Sequence, residues 1–282
     1  MLFLLPLMLM QSSPYASALP REIVEKKEDE ARKRRTESQQ FAGPLPLRPE
    51  NGCLLAVESD PERSAEVARK ALASAQGREK VRAGLCLGVA LADLDRWGEA
   101  RTAFTQARDT ADPGDHLSRA RLGAMAGNAA LADGKAGDAL MLLGPAATEA
   151  KTASDGVLGA SIALDRARAL VSLGQNGEAA TALADARTAD PTNAQAWLLS
   201  ATLARRQKNL IEAQTQIEKA AQLAPQDPEV GLEAGVIAIL GGRDEAARRS
   251  WNSVVSTSPD SPAAVTAKDY LAQLGPEGTP KP

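Results

Sequence analysis

The chain has 282 residues, 44% apolar but only 3% aromatic, with 55 alanines and a formal charge of −3 from 33 basic and 36 acidic side chains. An apolar fraction so rich in alanine and poor in aromatics argues against a sandwich, barrel or parallel sheet and for helices, of which alanine is the best former. The balanced charge gives no pull toward nucleic acid. One histidine and two cysteines cannot assemble the usual His-rich or Cys/His metal centres, so neither metal nor cofactor is expected.

Residues Met1 to Met10 read MLFLLPLMLM and are followed by Ala16-Ser17-Ala18, the small-x-small pattern of a signal-peptidase site. The apolar run is about half the ~20 residues that cross a bilayer, so residues 1–18 are expected to be a cleaved signal peptide rather than a permanent span. No Lys or Arg precedes the run. From Arg21 to Glu37 there are seven basic and six acidic residues in 17, a stretch with almost no apolar face to bury. Gly43-Pro44-Leu45-Pro46-Leu47-Arg48-Pro49 then excludes helix, and residues 19–52 read as a linker. Pro61 to Ala75 reads as an amphipathic helix that covers the first of the helical units beyond it.

A period of 34 residues organises the remainder. Trp197, Ala213, Ala220 and Pro225 stand at offsets 0, 16, 23 and 28, and the last three recur 34 residues later as Ala247, Val254 and Pro259. With units numbered so that Trp197 is position 4, position 20 is Ala100, Ala139, Ala179, Ala213 and Ala247. Position 8 is Gly88, Gly127, Ala167, Ala201 and Gly235, and position 24 is Phe104, Leu143, Leu183, Ile217 and Trp251. The unit spacings of 39, 40, 34 and 34 place insertions in the first two units. Glycines 134, 174, 241 and 242 fall where a turn joins two helices, and prolines 191, 225 and 259 fall where a unit ends.

This pattern resembles the tetratricopeptide repeat, a helix-turn-helix unit with small residues where its helices cross and proline at its exit. The resemblance implies an all-α fold: a right-handed α-solenoid of about five repeats over 53–276, with Ser261 to Leu274 as a capping helix and 277–282 as a tail. Stacked pairs bury the apolar stripe that one pair cannot cover alone.

Catalytic chemistry is not evident. His116 follows Asp112-Pro113-Gly114-Asp115 and reads as a surface side chain in a loop, and carboxylates such as Asp227 and Glu229 fall at helix starts, where capping is the default. Cys53 and Cys86 admit two readings. In an oxidising compartment they would form a disulfide closing about 33 residues and contributing roughly 3–4 kcal/mol; otherwise Cys86 is a buried free thiol unrelated to Cys53.

The resemblance implies a binding groove along the first helices, at positions 2, 5, 9 and 12. Arg82, Arg121, Asn128 and Arg168 form its polar and basic part, and only these echo the Lys, Arg and Asn set with which relatives clamp a peptide carboxylate. Gln195 and Thr202 continue the line. Leu198, Leu232 and Val236 with Arg205 suggest an apolar floor and a basic rim, or else leucines packed against neighbouring repeats. The expected protein is a periplasmic or secreted scaffold, not an enzyme, that holds a protein or peptide segment, without nucleic acid and without a stable membrane span after cleavage. The alternative is a structural subunit or tether of an envelope assembly docked through its charged N-terminal segment.

Overall fold

The structure is a computed structural model and describes Val57 and residues 60–274. The expected signal peptide, linker and tail, and Cys53, lie outside these residues. Helix α1 spans Pro61–Ser74. Five hairpins follow: α2 Gly77–Asp93 with α3 Trp97–Thr110, α4 His116–Ala132 with α5 Ala136–Thr152, α6 Gly156–Ser172 with α7 Asn176–Ala189, α8 Ala194–Arg206 with α9 Leu210–Leu223, and α10 Pro228–Leu240 with α11 Asp244–Thr257. Helix α12, Pro262–Leu274, closes the array.

Each helix packs on its neighbours in sequence, and the first helices also meet one another: α4 with α6, α8 with α10, α10 with α12. The first helices therefore form an inner layer, the second helices an outer one. The core is correspondingly divided into clusters strung along the chain, from one around Val57, Leu85 and Phe104 to one around Trp251 and Ala264. This is the expected α-solenoid.

Local chemistry explains the boundaries. Asp115, Asp155, Asn193 and Asp227 cap α4, α6, α8 and α10 by accepting backbone N–H bonds of 2.8 to 3.3 Å, each worth about 1 kcal/mol. At the opposite ends, Arg96, Lys135, Gln175, Asn209 and Arg243 each donate a backbone N–H to the carbonyl five residues earlier at 2.8 to 2.9 Å, closing the same turn in all five units. The residue before each donor, at position 15, is left-handed throughout: Gly134, Gly174 and Gly242, but also Asp95 at φ 59° and Lys208 at φ 63°. The glycines were legible as turns. Asp95 and Lys208 were not, because only glycine advertises that conformation.

The insertions have a definite location. Helices α2, α4 and α6 each have 17 residues against 13 in α8 and α10, and α5 has 17 against 14 in α3. One consequence corrects the reading of His116, which is the first residue of α4 and not part of a loop, because Asp115 starts the helix ahead of it.

Packing follows the repeat positions. Phe104 lies on Gly88, Leu143 on Gly127 and Trp251 on Gly235, so close that a β-carbon on any of these glycines would come within 2.0 to 2.5 Å of the ring or chain. Four of the five units lack Trp at position 4, and in three of them glycine takes its place. A β-carbon on Gly84 or Gly123 would stand 2.9 Å from that of Ala107 or Ala146, so glycine there lets the two helices approach. Trp197 packs differently, donating its indole N–H to the Pro191 carbonyl at 3.0 Å with the Arg187 guanidinium 5.0 Å from its ring.

Candidate functional site: the inner-helix groove

The groove residues expected from the sequence all sit on inner helices: Arg82 on α2, Arg121 and Asn128 on α4, Arg168 on α6, four on α8 and two on α10. The structure separates them into groups that differ in what they can offer. Three of the arginines are already engaged. Arg121, 13% exposed at its side chain, approaches Asp155 at 4.0 Å. Arg168 donates to Asp165, itself only 5% exposed. Arg205 makes a two-pronged contact with Glu233, Nε to Oε1 at 2.6 Å and Nη2 to Oε2 at 3.2 Å, joining α8 to α10. Arg82 is exposed and forms no ion pair among the described residues.

The carboxylates Asp155, Asp165 and Glu233 are the part of this face that sequence reasoning missed. Asp165 and Glu233 occupy position 6 in units 3 and 5, where Cys86, Met125 and Leu199 stand elsewhere. A carboxylate alternating with apolar residues at a half-buried position was the available signal, since such a group needs a partner.

The uncharged members divide similarly. Leu198 is buried among Ala201, Ile217 and Val230 and presents no surface. Leu232 and Val236 are half-buried against the cluster of Trp251, Tyr270 and Leu271, so they pack on the closing helix. Thr202 donates its hydroxyl to the Leu198 carbonyl at 3.0 Å. Asn128 and Gln195 are half-buried, and neither side chain is hydrogen-bonded within the described residues. Cys86 is buried on α2, 8% exposed, and does not stand as a free thiol.

Other ionic clusters buttress the hairpins. His116 Nδ1 lies 2.7 Å from Glu149, whose other oxygen accepts from Arg119 Nε at 2.8 Å, tying the start of α4 to the end of α5. Those bonds from Arg119 and His116 hold the Glu149 carboxyl below its usual range. Burial lowers the Arg187 guanidinium, which donates to Ser200 Oγ. On the outer face, adjoining cavities of about 290 and 490 Å³ share Met141 and Leu142, but Arg101–Asp138, Arg108–Asp109 and Arg119–Glu149 already pair along their walls. Among the described residues no His, Cys, Asp and Glu group could hold a metal, and no helix is long and apolar enough to cross a membrane.

A tetratricopeptide repeat family profile matches residues 50–116 and 164–228. The first match begins at residue 50, ahead of α1, in keeping with Val57 being helical and buried against the first unit. No curated protein sequence matches significantly. Among solved structures, PilW, a widely conserved type IV pilus biogenesis factor, is 15% identical with a TM-score of 0.60 over 86% of this chain and 99% of its own. PilF of Pseudomonas aeruginosa is 15% identical with a TM-score of 0.59 over 88% and 99%. YrrB, described as having an unusual peptide-binding site, is 19% identical with a TM-score of 0.50 over 73% and 99%. At these identities the likeness is one of fold. The 34-residue register, the stacked hairpins and the profile match together identify tetratricopeptide repeats in this chain.

Proposed function

We propose that the protein is a non-catalytic scaffold, exported to the periplasm of a bacterial cell envelope, that holds a segment of a protein partner along its inner helices. The observation that carries the reading is the pair Asn128 and Gln195. Both are half-buried on the inner layer, and their amides make no hydrogen bonds within the described residues. A partner backbone would supply the missing donors and acceptors. The signal-like residues 1–18 support export, and the fold shared with a pilus biogenesis factor and with a peptide-binding protein supports the role.

The test places a photo-crosslinking amino acid at Asn128, Gln195 or, on the outer helix α3, Thr105 in cells. One common adduct from the two inner positions and none from Thr105 is expected; adducts from Thr105 alone would reject the groove. N-terminal sequencing of the mature protein should begin near Leu19, and a cytosolic chain retaining Met1 would reject export. Export also accords with a Cys53–Cys86 disulfide, for which reduction should add the mass of two hydrogens.

The charged segment Arg21 to Glu37 supports a second reading, in which the protein is a tether of an envelope assembly docked through that segment. Deleting 21–40 separates the two: partner recovery persists if the inner helices hold the partner and is lost if the segment does.

A further inference from the structure

The register continues past the last hairpin. Adding 34 residues to unit 5 makes Pro262 position 1 of a sixth unit, and α12 obeys that numbering. Ser261 caps it by accepting from the Ala264 N–H at 3.1 Å, at the place that Asn193 and Asp227 hold in units 4 and 5. Ala264 at position 3 is fully buried, as are Leu122, Ile162 and Ala196 at that position in units 2, 3 and 4. Helix α12 also packs on both α10 and α11, as an inner helix packs on the unit before it. It is the first helix of a repeat whose second helix is not among the described residues.

Its remaining face is open. Positions 8 and 11 are buried in all five complete units, because the second helix of the same unit lies on them, as Phe104 does on Gly88 and Trp251 on Gly235. In α12 positions 4, 8 and 11 are Val265, Asp269 and Ala272, which share one side of the helix. All three are exposed, Val265 by 58%.

Position 8 states what can lie there. The five units carry glycine or alanine at this point because a large apolar side chain from position 24 lands on it. Asp269 has no hydrogen bond or ion pair among the described residues, and Lys268 beside it stands at position 7, off the line. An apolar anchor landing on Asp269 would bury a carboxylate without a partner. That excludes the second helices of another copy, whose anchors are Phe104, Leu143, Leu183, Ile217 and Trp251. A two-fold contact centred here would set Asp269 against Asp269. A Lys or Arg satisfies the site, its stem lying on the flanking apolar groups and its charge meeting the carboxylate.

We infer that the open face of α12 receives one amphipathic helix of a protein partner, which completes the sixth repeat. That helix carries Lys or Arg where this chain's own second helices carry Phe, Leu, Ile or Trp, with aliphatic side chains a turn to either side over Val265 and Ala272. This docking surface is separate from the inner-helix groove and does not depend on it.

A photo-crosslinking amino acid at Val265 or Ala272 in cells, with mass spectrometry of the joined peptide, identifies what covers the face. One partner segment of helical periodicity with a central Lys or Arg is expected. Its adduct should fall about tenfold in Asp269→Lys and persist in Asp269→Glu. In solution the probe is a synthetic peptide of residues 244–257 with the change Trp251→Lys, titrated on the full chain by fluorescence anisotropy. It should bind several-fold more tightly than the unaltered peptide, and Asp269→Gly, which restores the small residue of the other units, should reverse that preference. Circular dichroism checks that the exposed substitutions leave the fold intact. Adducts with a second copy alone, adducts indifferent to Asp269→Lys, no adduct from either position, or a peptide preference unchanged by Asp269→Gly each overturn the inference. None of these outcomes bears on the groove, which is read from Asn128 and Gln195.

Discussion

Trp251 of α11 lies against Gly235 of α10 so closely that a β-carbon there would come 2.0 Å from the indole Nε1, while that same N–H donates to the Leu232 carbonyl at 3.1 Å. The ring cannot withdraw without breaking the bond. Gly235→Ala is therefore expected to destabilise the chain by roughly 1–3 kcal/mol through overpacking. Denaturant unfolding measures it, and Trp251→Leu in the same chain should recover part of the loss; an unchanged midpoint for Gly235→Ala would contradict this packing.

The contact of Arg205 with Glu233 joins two inner helices with little exposure of either side chain. Glu233→Gln leaves a guanidinium without its counter-charge and is expected to cost about 3 kcal/mol, whereas Arg205→Met with Glu233→Leu should restore most of the stability. The two single variants and the double form a cycle by chemical denaturation. Equal stability of all four chains would show that the pair couples nothing.

Glu149 confers a pH dependence of known sign. Its carboxyl is held below the usual range by bonds from Arg119 and His116, so its contribution is present above the ordinary carboxylate pKa and is lost as the pH falls through the lowered folded value. Glu149→Gln should be less stable than the parent at neutral pH and should converge with it under acid conditions. Unfolding midpoints at about pH 7 and about pH 3 decide the matter. A gap that is the same at both would rule out this carboxylate as the source.

Lys208 occupies the left-handed position that glycine holds in three other units. A side chain there costs about 1 kcal/mol that glycine does not incur, so Lys208→Gly should raise stability by roughly 0.5–1 kcal/mol despite the greater freedom of the unfolded chain. The converse change, Gly174→Ala, should lower it by a comparable amount. Calorimetric melting of the two variants measures both, and destabilisation by Lys208→Gly would mean that the Lys208 side chain contributes contacts outweighing the backbone cost.

Most of the architecture was legible in the chain itself. Small residues at positions 8 and 20 and large ones at position 24 meet within one hairpin, so a fixed spacing along the sequence is also a fixed spacing in space. The same logic located the helices at both ends, α1 and α12, and the turn glycines. It could not find Asp95 and Lys208 in left-handed turns, because their conformation is imposed by the helices they join and not by their own preference.

The groove divides along the same line. The sequence by itself determined which side chains line the inner helices, because position in a repeat sets the face. Which of them remain available was decided only by the tertiary structure. Arg205 and Glu233 are 28 residues apart on separate helices, and Arg168 meets Asp165 at a depth that only the stacked array creates. Ion pairing depends on distance and burial across units, quantities that a periodic register does not encode.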